Sequence, residues 1–178
     1  MNRTDDELLA IRCQLGEPAA FDDLIARWHE PLWRYLRKLT GDDDTAAESI
    51  QDVWLKVLRA IPKLRDAARL RAWMFSIARR VVMDRLREKY ATPPSVSADD
   101  VDLEDVPQEL EDELEVMREE LERLPVIDRE ALVLFYLKEL TLLEMTEVLG
   151  VPVGTVKSRL FRARKTLRTQ LERKGVNR

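Results

Sequence analysis

Apolar residues recur at three- and four-residue spacing over most of the chain, the period of helices that bury one face. No stretch alternates apolar with polar positions as a half-buried strand would. From residue 5 to residue 89 the pattern predicts about four amphipathic helices, interrupted at Gly16-Glu17-Pro18, at Gly41-Asp42-Asp43-Asp44 and at Pro62. In the segment Asp44 to Ala60, Ile50, Val53, Trp54, Val57 and Leu58 share one face, and Glu48, Asp52, Lys56 and Arg59 lie opposite. The periodicity lapses from Ala91 to Asp105, where adjacent prolines, Ser and Asp offer too little apolar surface to hold an ordered structure alone. It returns in Leu110, Leu114, Met117, Leu121 and Leu124, along an otherwise acidic helix that Pro125 brings to an end. The expected fold is all-α, with two small helical domains at residues 1–90 and 107–178 joined by a flexible acidic linker at 91–106.

Composition narrows the function. With 5 glycines in 178 residues and Leu, Ala, Glu and Arg dominant, nothing competes with the helical reading. The lone Cys13 cannot form an internal disulfide, and neither it nor the lone His29 has neighbours at metal-ligand spacing. No metal and no cofactor is expected, and a reducing cytoplasm is the natural location. The start of the chain is polar and acidic, and no apolar run approaches the roughly 20 residues of a membrane span, so neither an export signal nor a membrane partner is expected.

The net charge of -4 conceals a segregation that changes the picture. Residues 99–122 hold 13 acidic residues and one basic residue, Arg118, and the remainder of the chain holds 21 acidic against 29 basic residues. Two stretches concentrate the positive charge: residues 59–89, with 10 basic and 3 acidic, and residues 154–174, with 8 basic and 1 acidic. Two cationic surfaces on either side of an acidic connector suit a partner with phosphates.

The sharpest motif lies at residues 139–167, which have the layout of a helix-turn-helix. Thr141 can cap a short helix carrying Leu142, Met145, Val148 and Leu149; Gly150 suits a left-handed turn; Pro152 precedes a longer helix starting near Gly154 or Thr155. On that helix Val156, Leu160, Ala163 and Leu167 face the core, and Thr155, Ser158, Arg159 and Arg162 fall on another face. Short polar side chains in the first turn can approach base edges, while Lys157, Arg164, Lys165 and Arg168 supply salt-sensitive attraction to phosphates.

Leu124-Pro125 through Leu167 resembles region 4 of the extracytoplasmic-function (ECF) sigma factors of the sigma-70 family, and Val153-Gly154-Thr155-Val156-Lys157-Ser158-Arg159-Leu160 matches that family's recognition-helix signature without a break. Independently, Ala47 to Val57 resembles the region 2.2 helix and Arg71 to Arg80 resembles the region 2.3 to 2.4 helix. The resemblance implies a non-catalytic subunit that brings RNA polymerase core to promoter DNA, monomeric when free and subject to an anti-sigma factor. It implies that Glu48, Gln51, Asp52, Lys56 and Arg59 face the polymerase, and that Thr155, Lys157, Ser158, Arg159, Arg162, Arg164 and Lys165 read the upstream promoter element as duplex. The segment Leu64 to Arg71 corresponds to the family's loop that captures a base flipped out of the downstream element. A captured base must be unstacked, which polar and cationic groups compensate. Arg65, Asp66, Arg69 and Arg71 are the candidates, with Arg79, Arg80 and Asp84 on the following helix. Arg80 stands where many relatives carry Asn, which leaves the identity of the captured base open.

Simpler readings accompany several of these features. Trp28, Trp33, Trp54 and Trp73 are expected in the core of the first domain rather than as stacking platforms. The acidic run reads as a solvated, self-repelling connector, and the family adds that it enters a cationic channel of the polymerase. A free-standing helix-turn-helix regulator is the alternative function, but such proteins usually read palindromes as dimers, and no dimerisation heptads extend beyond the Leu110 to Leu124 stripe. A carboxylate-based metal enzyme fails on geometry, since the acidic residues lie in a linker and on a solvated helix face.

Overall fold

The computed structural model describes residues 3–91 and 108–176, with side chains over 4–88 and 114–176, and every regular element among them is helical. The expected linker beyond Ala91 and the side chain of Leu110 lie outside the described residues. The first domain holds α1 (Arg3–Gln14), α2 (Pro18–Thr40), α3 (Asp43–Ala60) and α4 (Leu70–Ala91), with two short 3₁₀ turns between α3 and α4. The second holds α5 (Gln108–Glu122), α6 (Val126–Leu132), which runs into a single π-turn over Val133–Leu137, α7 (Leu142–Leu149) and α8 (Val153–Arg173).

The breaks fall where local chemistry demands them. Pro18 opens α2, where a missing N–H costs nothing. Gly41 closes it in the left-handed region at φ 69°, and its N–H bonds Arg37 O at 2.9 Å. The Asp42 side chain then caps α3 by accepting from Thr45 N at 3.3 Å. Pro31 sits inside α2 without ending it. In the first core, Trp28, Tyr35 and Phe75 are fully enclosed, and the Phe75 ring meets the other two edge-on with centroids 6.1 Å and 5.3 Å away. Trp33, Trp54 and Trp73 pack against this core but are only partly buried. The predicted face of α3 needs one correction: Ile50, Val53 and Val57 are buried and Trp54 partly so, but Leu58, at the edge of the stripe and about 100° around the helix from Val57, is 51% exposed.

In the second domain Thr141 and Glu144 form a reciprocal capping box at the start of α7. Thr141 Oγ1 accepts from Glu144 N at 3.2 Å, and Glu144 Oε2 accepts from Thr141 N at 2.8 Å. Gly150 takes φ 64° and closes α7. The long helix begins at Val153, slightly earlier than expected, because the Pro152 carbonyl already accepts from Thr155 N and Val156 N. Val156, Leu160 and Ala163 are buried and Leu167 is partly buried.

The sequence carries no expectation of how the two domains meet. In the structure they pack directly, α4 against α7 and α2 against both α6 and the π-turn.

Candidate nucleic-acid interface

The first turn of α8 is an open helix N-terminus. Pro152 has no side-chain acceptor to cap it, and a Cβ placed on Gly154 would meet nothing within 4 Å, so a phosphate can approach the backbone closely. Lys157 and Ser158 are exposed and Thr155 is half-buried; Ser158 Oγ rests on Thr155 O at 2.9 Å. Arg164 and Lys165 extend the exposed cationic face, with the Arg164 guanidinium over the rings of Phe135 and Tyr136 at 5.3 Å and 5.2 Å. Arg159 is half-buried, and its Nη1 is enclosed without a hydrogen-bond partner. Arg162 has an intramolecular commitment that its position in the sequence did not reveal. It donates from Nε and Nη2 to the carboxylate of Asp128 on α6 at 2.9 Å and 2.5 Å, and that carboxylate is only 6% exposed.

The loop between α3 and α4 surrounds a cavity of about 340 Å³, lined by Lys63, Arg65, Asp66, Arg69, Trp73 and Ser76 among others. Asp66 shapes this wall by capping the second 3₁₀ turn, accepting from Ala68 N at 3.1 Å. Arg65 is exposed. Arg71 is half-buried with its Nε enclosed and without a hydrogen-bond partner. Arg80 and Asp84 are exposed on α4, where Arg80 Nε donates to Ser76 O at 3.2 Å and Asp84 accepts from Arg87 at 3.2 Å. The structure therefore gathers Arg65, Asp66 and Arg69 at one cavity and leaves Arg79, Arg80 and Asp84 farther along α4. Trp73 and Ser76 join the cavity wall. Their i, i+3 spacing held that information, but Trp73 alone reads as core.

Two first-domain cations point at the second domain. Arg69 Nη2 donates to Glu147 on α7 at 2.7 Å, and Arg79 Nε lies 3.0 Å from Oε1 of Glu130 on α6. On the outer face of α3, Gln51, Lys56 and Arg59 are exposed, whereas Glu48 and Asp52 are tied to Arg85 of α4, the latter at 2.6 Å.

Two family models match this chain: Sigma-70 region 2 over residues 16–92, which covers α2, α3 and α4, and Sigma-70, region 4 over residues 114–167, which covers the helix-turn-helix. The chain belongs to the ECF group of the sigma-70 family. It is 34% identical over 165 residues to the ECF RNA polymerase sigma factor SigM of Mycobacterium tuberculosis, covering 93% of this chain and 83% of that protein. It is 29% identical to the ECF RNA polymerase sigma factor SigW of Bacillus subtilis, covering 88% and 91%. Among solved structures, CnrH in complex with the cytosolic domain of CnrY is similar at TM-score 0.70 and 26% identity, covering 94% of this chain and 97% of that one. As an ECF sigma factor the protein recognises promoters for RNA polymerase and initiates transcription by binding DNA. The open end of α8 lies in the region 4 match, and the cavity behind the 64–71 loop is lined by residues of the region 2 match together with Glu147 of the region 4 match.

Proposed function

We propose that this sigma factor divides promoter reading between two faces. Thr155, Lys157, Ser158 and Arg159 meet bases and phosphates of the upstream element in the major groove, and Arg162, Arg164 and Lys165 flank them along the backbone. Arg65, Asp66 and Arg69 receive an unstacked base of the downstream element, with Arg71, Arg79, Arg80 and Asp84 alongside the strand. The polymerase core meets the face of α3 that carries Glu48, Gln51, Asp52, Lys56 and Arg59. In this reading residues 1–90 and 107–178 are the working domains, the protein acts in the cytoplasm as a monomer before it joins the polymerase, and it performs no catalysis of its own. No described helix is long and apolar enough to cross a membrane, which fits that location. The observation that carries the reading is the uncapped, unobstructed first turn of α8 beside an exposed lysine and serine.

An anti-sigma factor is the expected regulatory partner. The second domain offers it an apolar groove of about 750 Å³ between the π-turn, α5 and α8, walled by Met117, Tyr136, Leu137, Leu167 and Leu171 among others. Tyr136 and Leu137 there are more than half exposed.

The division of labour is tested by selecting promoter sequences with polymerase carrying either wild-type chain or single variants. Lys157→Ala and Ser158→Ala should relax preference in the upstream element only, and Arg65→Ala in the downstream element only. A variant of α8 that changed the downstream preference and spared the upstream one would contradict the assignment.

A further inference from the structure

A cleft of about 360 Å³ opens where α2 and α4 meet the end of the π-turn, and Glu30, Arg34, Arg71, Phe75, Lys138 and Glu139 are among the residues that line it. Glu139 takes φ 50° and is the only described residue other than glycine at positive φ, a region that L residues seldom adopt. The reversal there lets Leu140 N donate to Leu134 O at 3.0 Å and leaves Lys138 at the cleft.

The charges around this space are poorly matched. Lys138 is half-buried, and Arg34 and Arg71 repel its ammonium while Glu30 alone attracts it. Glu30 is already engaged, since its Oε1 accepts from Arg34 Nε at 2.5 Å. Arg71 is half-buried too, and its Nε is enclosed with no hydrogen-bond partner. Neither Lys138 nor Arg71 has an ion pair among the described residues. Two partly desolvated cations that repel each other and lack a counter-ion are unfavourable on their own. A dianion seated between them would offset both the desolvation and the repulsion. The pairing of a guanidinium fork with a compact ammonium suits phosphate, which can accept from both at once. The volume is that of a small-molecule site.

We propose that this cleft binds the phosphate end of a small metabolite, a phosphate or diphosphate ester, held by Arg71 of α4 and Lys138 of the second domain, with Arg34 of α2 at the rim. The site uses no promoter contact, so it stands apart from the reading above. A ligand there bridges elements of both domains, and it stabilises the chain by an amount that grows with the logarithm of its concentration.

Inorganic pyrophosphate, titrated calorimetrically into the full chain at fixed ionic strength, is the probe. A single saturable site is expected, with an unfolding midpoint that climbs as pyrophosphate is added. Arg71→Gln and Lys138→Gln should each weaken binding at least about tenfold, and Lys138→Arg should retain it. Lys174→Gln, which removes an exposed cation at the far end of α8, should leave it unchanged. Because Lys138→Gln removes a repelled charge, that variant should unfold no earlier than wild type without ligand, which separates loss of the site from loss of the fold. Raising the pH from 7 to 9 should weaken binding to wild type about tenfold relative to Lys138→Arg, because the buried lysine gives up its proton near 8. No saturable binding, binding that falls equally in Lys174→Gln, or binding that survives both Arg71→Gln and Lys138→Gln would overturn the inference.

Discussion

Arg162 and Asp128 show how one residue can belong to two accounts. The sequence places Arg162 on the outward face of a recognition helix, and its side chain is indeed 59% exposed, yet its fork is occupied by a carboxylate that α6 buries. Loss of DNA binding in Arg162→Ala would therefore mix two causes, because the change also strands Asp128 in a nearly dry site. Arg162→Ala should lower the midpoint of thermal unfolding by a few degrees, and Asp128→Asn in the same chain should recover most of that loss; calorimetry on the single and double variants checks it. Equal losses that simply add would mean the pair does not couple. The periodicity that identified the recognition helix could place Arg162 on a face, but Asp128 is 34 positions away, and no local pattern reports such a pairing. Glu130 escaped notice for the same reason: in sequence it is one more acidic residue, and only its distance from Tyr35 and Arg79 gives it a role.

At the scale of elements, helix boundaries were legible because they are written in local chemistry. Gly41, Asp42, Thr141, Gly150 and Pro152 each end or begin a helix by satisfying or omitting particular backbone groups. The capping box is the most testable. Thr141→Ala removes one member and should cost about 1 kcal/mol of stability in chemical denaturation, with Thr141→Ser close to wild type. The π-turn was not legible: Leu132 to Leu137 reads as ordinary apolar helix, and the Lys138 N to Val133 O bond of 3.0 Å that defines the turn depends on how the segment meets α2.

Lys138, at the end of that turn, gives the domain contact a pH dependence. Burial pushes its ammonium down from 10.5 to about 8, with Arg34 and Arg71 adding to the shift and Glu30 opposing it. Below pH 8 the lysine is charged whether or not the domains are docked. Above it the docked state gives up the proton first, so docking should strengthen as pH rises toward 10. Beyond that, Tyr35, whose phenol burial and Glu130 both raise well above 10, favours the undocked state because an exposed phenol ionises first. Energy transfer between dyes on the two domains should rise over that window and be flat in Lys138→Met; a fall over the same window would contradict the burial of Lys138.

For the whole molecule, charge segregation says more than the total. A net charge of -4 would argue against a nucleic-acid partner, yet both matched regions carry a surplus of basic residues along the helices that would meet DNA. The sequence could show these two surfaces. It could not show that the first of them meets acidic residues of the second domain, because long-range packing leaves no periodic trace. The most direct test of the account is transcription from a promoter library by core polymerase, with and without the purified chain. Defined run-off transcripts that require the chain, and weaken sharply with Lys157→Ala and Arg159→Ala, are expected. A chain that binds duplex promoters alone as a dimer, and yields no chain-dependent transcript, would contradict it.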